Sequence, residues 1–463
     1  MKIRLVFVFL ILLTGTCFSQ FTVSTNGRYL MRGDKPFFWL GDTAWELFHR
    51  LNREDADYYL KRRAEQGFTV IQAVVLSNLD GLHKPNAYGD LPLENDDPAK
   101  PEEEYFRHVD YIIDQADKYG LVIGLLPSWG DKVLKLWREG PEIFNPENAG
   151  IYGKWLGNRY KDRKNIIWIL GGDRNPQTPV HEEIWRKMAE GIAESMGGND
   201  KVLITFHPQH NPLGSAKWFH NDKWLDFHMF QNGHCRDFPV YDNNQRVYNL
   251  EPAKPLVDAE PLYEDHIICH NINDDLGYSS AYDMRKFAYL DIFSGAFGHT
   301  YGCHDVWQFY REDIKQIYVK NPGIPWKKAM EMPGGNQMKY VRMLMEARPM
   351  LDRVPDQTLV VENNSPVSER IQATRGKDYL FVYSAKGRAF TLNLGKITGE
   401  FLKGFWFNTR NGESKAIEPF KNVGSLKLTP PQETFPSQSG YGNDWILILD
   451  DADKDYAAPA PLS

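Results

Sequence analysis

Residues 166 to 176, IIWILGGDRNP, restrict the fold more than any other stretch of the chain. Ile166 to Leu170 are all large and apolar, so as a strand the run has no polar face and must be buried on both sides, as in a parallel sheet covered by helices. It ends at Gly171 and Gly172, where missing side chains permit close approach to the backbone, and then at the carboxylate Asp173. Asn175-Pro176 turns the chain toward a helix from about Val180 to Met196. In a parallel α/β barrel, that edge of the sheet is where active sites are built.

The same unit recurs along the chain. Asn26-Gly27 and Gly33-Asp34 predict hairpin turns, after which Phe37 to Leu40 runs into Gly41-Asp42-Thr43-Ala44-Trp45 as a first barrel strand. Asn52 caps a helix that Gly67 ends, and Thr69 to Leu76 is strand two. Pro101 opens a helix with Phe106, Val109, Ile113 and Ala116 on one face, and Leu121 to Pro127 is strand three. Asn145-Pro146 begins the helix that leads to strand four. Strands five to eight fall at Val202 to His207, Phe227 to Gln231, Pro255 to Glu260 and Ala296 to Tyr301, with helices at Ala281 to Phe293 and Gln337 to Ala347. Eight such units predict an α/β fold, a (β/α)8 TIM barrel of roughly 250 residues plus insertions. The rival is a doubly wound open sheet, but no GxGxxG follows strand one and no GxxxxGK[ST] occurs.

After Pro355 the pattern changes. Thr358 to Glu362, Arg370 to Thr374, Asp378 to Ser384, Phe390 to Leu394, Phe401 to Asn408, Ser425 to Thr429 and Trp445 to Leu449 read as short strands, which predicts a small C-terminal all-β sandwich. At the other end, Lys2 and Arg4 precede an apolar run from Leu5 to Leu13, and Cys17-Phe18-Ser19 offers a cleavage site. The expected organisation is a signal peptide at 1–20, a barrel with an N-terminal hairpin at 21–354, and the β domain at 355–463. Lipid attachment at Cys17 is the alternative, disfavoured by Thr16 before it. The apolar run is shorter than the ~20 residues that span a bilayer, so no transmembrane segment is expected, and the mature chain is exported to the periplasm, the cell surface or the medium.

Charge narrows the partners. There are 54 basic and 61 acidic side chains; without Lys2 and Arg4 the balance is 52 against 61, a net charge of −9 that argues against nucleic acid or anionic membrane. Cys235, Cys269 and Cys303 remain after cleavage, an odd number without a CxxC pair. One disulfide can form, and the spacing does not say which.

The chemistry is expected at two carboxylates. Asp173 closes strand four and Glu260 strand seven, across the barrel from each other, as glycoside hydrolysis requires: one carboxyl protonates the leaving oxygen, the other attacks or stabilises the anomeric carbon. Strand alternation puts Asp258 on the same side as Glu260, with Val257 and Ala259 toward the helices. Asp42, Asp80, Asp258, Glu264 and Asp265 are rivals for the mouth. Aromatic, amide and imidazole side chains at the other strand ends suit an oligo- or polysaccharide: Trp39, Asp42, Trp45, Trp129, His207, Gln209, His210, His228, Gln231, His299 and Tyr301, with His304 and Trp307 beyond. Any one alone reads equally well as packing. His207-Pro-Gln-His210 raises a metal-dependent hydrolase as an alternative, but it is not HExxH, so no metal and no cofactor is expected. A barrel that binds glycan without turnover is the alternative from another class. Oligomeric state is not legible.

The segments FFWLGDTAWELFHRL, GFTVIQAVV, WILGGDRNP and PLVDAEPLYE, with a β domain after them, resemble the apiosidase-like (β/α)8 barrels of glycoside hydrolase family 140, which carry a C-terminal domain named for collagen binding. The resemblance implies endo-acting cleavage of apiosyl linkages in the pectic polysaccharide rhamnogalacturonan II. It implies Asp173 as acid/base and Glu260 as nucleophile of a retaining enzyme, with carboxyls about 5 to 5.5 Å apart. Related barrels carry Asn-Glu at strand four, where this chain has Gly172-Asp173. Collagen binding is not carried over.

Overall fold

A computed structural model describes residues 21–136, 140–271, 276–313, 323–361, 365–432 and 442–460. The expected signal peptide at 1–20 lies outside the described residues. Strands β1 (Phe21–Val23), β2 (Leu30–Arg32) and β3 (Lys35–Phe37) form an antiparallel sheet. Phe21 lines a cleft with Ile166, Val202 and Leu203, and a Cβ on Gly27 would run into Ala253. These neighbours all begin or precede barrel strands, so this sheet covers the end of the barrel opposite the mouth.

Eight parallel strands follow, each from a segment that the apolar pattern predicts: β4 (Trp39–Thr43), β5 (Val70–Leu76), β6 (Val122–Ser128), β7 (Ile166–Gly171), β8 (Ile204–His207), β9 (His228–Phe230), β10 (Leu256–Asp258) and β11 (Gly298–Tyr301). The ladder runs β11-β4-β5-β6-β7-β8, and β9 pairs with β10. Single backbone bonds close the two remaining seams, Asp226 N to Ile204 O (2.9 Å) and Phe297 N to Leu256 O (3.0 Å). The result is a (β/α)8 barrel.

The helices form where local signals placed them. Asn52 accepts from Asp55 N to cap Arg53–Glu65, Asn145 and Asn148 make a reciprocal capping box on Pro146–Tyr160, and Gly197, at φ +93°, ends Pro179–Met196. Among the described residues no helix is long and apolar enough to cross a membrane. On helix Glu103–Lys118, His108 is buried and its Nε2 lies 2.9 Å from Leu51 O, tying the helix to the turn after β4.

The C-terminal region contributes β12 (Val354–Pro355), β13 (Ile371–Arg375), β14 (Tyr379–Ser384), β15 (Phe390–Asn393), β16 (Phe401–Asn408), β17 (Ser414–Lys421), β18 (Ser425–Leu428) and β19 (Trp445–Asp451). Six form an antiparallel sheet in the order β12-β13-β14-β19-β16-β17, and β15 pairs with β18 in a second layer. Two expectations change. The first strand is instead a 3-10 turn, Gln357–Leu359, with a single bridge from Val360 to Leu392, while residues 362–364 lie outside the described residues. Conversely, β17 is a strand that sequence did not suggest, because its charged, half-exposed edge, SKAIEPFK, lacks an apolar face.

Alternation divides the large sheet between two cores. Leu380, Val382, Leu447 and Leu449 pack with Phe390 and Leu392 of the second layer. Tyr379, Phe381, Tyr383 and Ile448 join the barrel's core, with Phe381 against Phe293 and Tyr383 against Tyr289 on the barrel helix Ala281–Phe293. Arg285 from that helix makes a bidentate pair with buried Asp444 at 2.9 and 2.6 Å.

Asp444→Ala leaves Arg285 charged and buried, and should cost about 3–5 kcal/mol in denaturant unfolding; an apolar Arg285→Met, Asp444→Leu double variant should recover much of it. Burial holds the His108 imidazole down at about 4, partly offset by its bond to Leu51 O. Its folded value lies below its unfolded 6.5, so its stabilising contribution is full above pH 6.5 and is lost as pH falls toward 4. His108→Gln should therefore lose less stability than wild type between those pH values, by up to about 3 kcal/mol, in denaturant midpoints measured at each.

Candidate active site

The chain leaves β7 through three successive residues with positive φ: Gly171 (+89°), Gly172 (+117°) and Asp173 (+51°). Gly172 N donates to His207 O (2.9 Å) and Gly130 N to Gly172 O (3.0 Å), so this turn is wedged between the ends of β6 and β8. The glycine at 172 is required, because a Cβ there would sit 2.8 Å from the Trp129 ring. Asp173 projects from the turn with its side chain 24% exposed, and Arg174 Nη1 donates to its Oδ2 at 3.1 Å.

Glu260 lies two residues beyond β10. Ala259 N continues the pairing by donating to Phe230 O (2.9 Å), Gln72 Nε2 donates to Ala259 O (2.9 Å), and Glu260 N to Asp258 Oδ1 (3.2 Å). The carboxylate thus fixed has His207 Nε2 3.3 Å from Oε2 and His234 Nε2 3.6 Å from Oε1, and the Tyr263 hydroxyl faces it. Burial pushes the Glu260 carboxyl up, but His234, His207 and Tyr263 together outweigh it and hold the group below its usual value. His207 remains low because burial exceeds the pull of Glu260. Trp45 Nε1 donates to Tyr263 OH (3.1 Å), and the Trp45 ring lies 5.1 Å from Trp129 and 5.4 Å from His207. Trp129 is thus shared: it touches Gly172 beside Asp173, and its ring lies 6.1 Å from the His207 that faces Glu260.

Trp45, Trp129 and His207 therefore stand on the Glu260 side, and the turn that carries Asp173 packs on Trp129. Gln209 is half-buried after β8, and His210 and Gln231 link the β8 and β9 loops, with His210 N donating to Gln231 Oε1 (2.7 Å). His207 and His210 diverge, one toward Glu260 and the other toward Gln231.

Five expected binding residues lie elsewhere. Trp39 opens β4 at the far end of the barrel, edge-on to Phe227 and Phe297, and donates to Thr300 Oγ1 (3.0 Å). Asp42 faces the helices, accepting from Arg63 Nε (2.7 Å) and the Tyr59 hydroxyl. His228 is held between Ser215 Oγ and His220 Nδ1, each at 3.1 Å. His299 bonds through Nδ1 to Asp291 Oδ2 (2.9 Å). Tyr301 donates to Glu264 Oε2 (2.6 Å), and Glu264 accepts from Gly334 N and Gly335 N at the start of helix Pro333–Glu346.

The expected facing of β10 also reverses. Leu256 packs against Val247 of helix Val240–Tyr248, and Asp258 accepts from Asn232 Nδ2 (2.9 Å), itself bonded to Asn243 of that helix. Val257 joins the main core. Glu260 reaches the mouth because the chain stops being a strand after Asp258, so alternation no longer decides its direction.

The sequence does not single out His234 or Tyr263. Tyr263 follows Glu260 by three residues, in the PLYE segment, which was a usable signal. His234 becomes a neighbour of Glu260 only through loop geometry, fixed by the Cys235–Cys269 disulfide, with Cys303 free and buried.

Comparisons with known proteins agree with this architecture. Residues 24–352 match the family described as "Apiosidase-like, catalytic domain", and 354–450 match "Putative collagen-binding domain of a collagenase". A solved structure described as a glycoside hydrolase is 36% identical, with 95% of this chain and 98% of that one covered and a TM-score of 0.83. A glycoside hydrolase family 5 structure from Bacteroides vulgatus is 34% identical, with 95% of each chain covered and a TM-score of 0.85. Among curated proteins, the chain spans little more than half of one relative it matches: a prolactin of Anguilla anguilla, 25% identical over 142 residues, which are 31% of this chain and 57% of that protein. So short a match carries no functional argument.

Gly172→Ala should lower stability by roughly 1–3 kcal/mol, since it strains the backbone and displaces Trp129. Thermal melts and the near-UV circular dichroism of the tryptophans would check both effects; an unchanged spectrum would refute the wedge between Gly172 and Trp129.

Proposed function

The chain belongs to the apiosidase-like glycoside hydrolases, and from that premise we propose that it is an exported retaining enzyme that cleaves apiosyl linkages in a plant pectic polysaccharide, with Glu260 as nucleophile and Asp173 as acid/base. The observation that carries this reading is the contrast between the two carboxyls. Glu260 is buried and held ionised by two imidazoles and a phenol, whereas Asp173 is partly open to water on a rigid turn that shares Trp129 with it. A nucleophile must be ionised before attack, and an acid/base must exchange its proton with water between half-reactions.

In the first step, Glu260 attacks the anomeric carbon, the bond to the leaving oxygen breaks, and Asp173 delivers its proton to that oxygen. In the second, Asp173 takes a proton from water as the water oxygen displaces Glu260 from the same carbon. Anomeric configuration is retained. Trp45 and Trp129 supply apolar faces for the sugar's C–H groups, and Gln209, His210 and Gln231 supply polar groups at the rim. The apiosyl specificity and the pectic substrate rest on the family likeness, and export rests on the N-terminal sequence.

Wild type incubated with apiose-containing pectic oligosaccharides should release product resolvable by mass, while Glu260→Ala and Asp173→Ala should each lose at least about 10²–10⁴-fold in kcat/KM. Full activity in both variants would end the assignment; a wild type inactive on these glycans but active on others would remove the substrate and leave the pair.

A further inference from the structure

Beside Glu260 three imidazoles converge, one of them the His234 that faces the carboxylate. One nitrogen from each of His234, His266 and His270 can be chosen so that all lie within 4.8 Å of one another. His234 and His266 stack at 4.4 Å, and His270 stands nearly perpendicular to both at 5.1 and 4.9 Å. The rings come from the loops that follow β9 and β10, and the Cys235–Cys269 bridge joins those loops immediately next to His234 and His270.

The hydrogen bonds leave the right atoms bare. His266 Nδ1 bonds to Ile267 O at 2.6 Å, so that nitrogen carries the proton and Nε2 presents its lone pair. His234 turns Nε2 toward Glu260 Oε1 at 3.6 Å, while its Nδ1 is buried with no hydrogen-bond partner. A buried imidazole nitrogen with no partner is costly in apoprotein and is what a ligand atom looks like before its ion arrives. A ligand histidine characteristically gives its other N–H to a carboxylate or a backbone carbonyl. His234 faces a carboxylate and His266 bonds to a carbonyl.

We propose that His234 Nδ1, His266 Nε2 and His270 form a binding site for a nitrogen-seeking divalent transition ion of the zinc class. Bonds of about 2.0–2.1 Å in a tetrahedral set require nitrogens about 3.4 Å apart, closer than the 4.8 Å within which one nitrogen from each ring lies. His270 is exposed, and closing the set is a movement of its ring toward the other two. An ion on Nδ1 fixes His234 as the tautomer whose Nε2–H points at Glu260, so occupancy of this site sets the hydrogen bond on that carboxylate. The carboxylate keeps its proposed catalytic place whether or not the ion is bound.

The test uses the full-length chain freed of any affinity tag and stripped with a chelator, titrated calorimetrically with Zn2+ and, in parallel, with Co2+ as a visible-absorbing probe. One ion per chain should bind, with Co2+ bands of a nitrogen-ligated, low-coordinate site. His270→Ala, at an exposed position that should leave the melting temperature of the chelated protein unchanged, should weaken binding by more than the ~10- to 100-fold typical of losing a supporting partner, and His266→Ala should do likewise. No saturable one-to-one binding, or binding indifferent to both substitutions, would overturn the site. The readout needs no substrate, so failure of the carboxylate assignment would leave this result standing, and the reverse also holds.

Discussion

The barrel depends on one constraint: each of its strands is buried on both faces, so any polar side chain on a strand needs a partner supplied by the protein. Where a strand turns a charge or imidazole outward, the adjacent helix supplies that partner. Arg63 and Tyr59 meet Asp42, Asp291 meets His299, and Asn243 reaches Asp258 through Asn232. These contacts fix how each helix sits on the ring, because shifting one would strand a buried polar group at a cost of about 1–3 kcal/mol or more. The mouth is the exception. There, chain segments leave the ladder, and Glu260 meets His207, His234 and Tyr263 from strand ends and loops instead of a helix.

That constraint also explains what could be read from sequence and what could not. Long apolar runs bounded by Gly, Asn and Pro marked the eight strands within a few residues, since burial on both faces leaves a continuous signal. The same double burial hides which side chains point inward: with Val257 and Leu256 equally apolar, nothing in β10 tells the two faces apart. Asp42, His228, His299 and Tyr301 looked like mouth residues and are in fact helix-facing. Where the strands end was more legible. Asp173 and Glu260 both lie two residues beyond their strands, where glycine or proline neighbours announce the turn. His234 was out of reach, because its position depends on a disulfide between residues 34 apart in sequence.

The C-terminal sheet obeys a related rule with a different outcome. An antiparallel sheet can leave one face in water, yet here Tyr379, Phe381 and Tyr383 pack on the barrel while Leu380 and Val382 pack on the second layer. Its strands consequently read as continuous apolar runs, YLFVYS and WILIL, in place of the alternation expected of a free module. The buried pairs of Arg285 with Asp444 and Arg348 with Asp450 add directional contacts to that apolar interface. A region named for binding elsewhere is, in this chain, first a structural wall of the barrel.

The surroundings of Glu260 follow from what it costs to keep a carboxylate charged in a place that excludes water. Burial alone would neutralise it, and a nearby Arg or Lys would hold it so tightly that its electrons were less available for attack. Two imidazoles and a phenol stand beside it here, and together they outweigh burial. Such donors work only if their N–H and O–H groups are aimed at the carboxylate, and an imidazole can direct either a proton or a lone pair. For Tyr263, the Trp45 indole N–H already occupies its oxygen lone pair, so the hydroxyl proton goes to Glu260. For the two imidazoles the equivalent director would act at Nδ1, and the Nδ1 atoms of His207 and His234 are both buried without a hydrogen-bond partner.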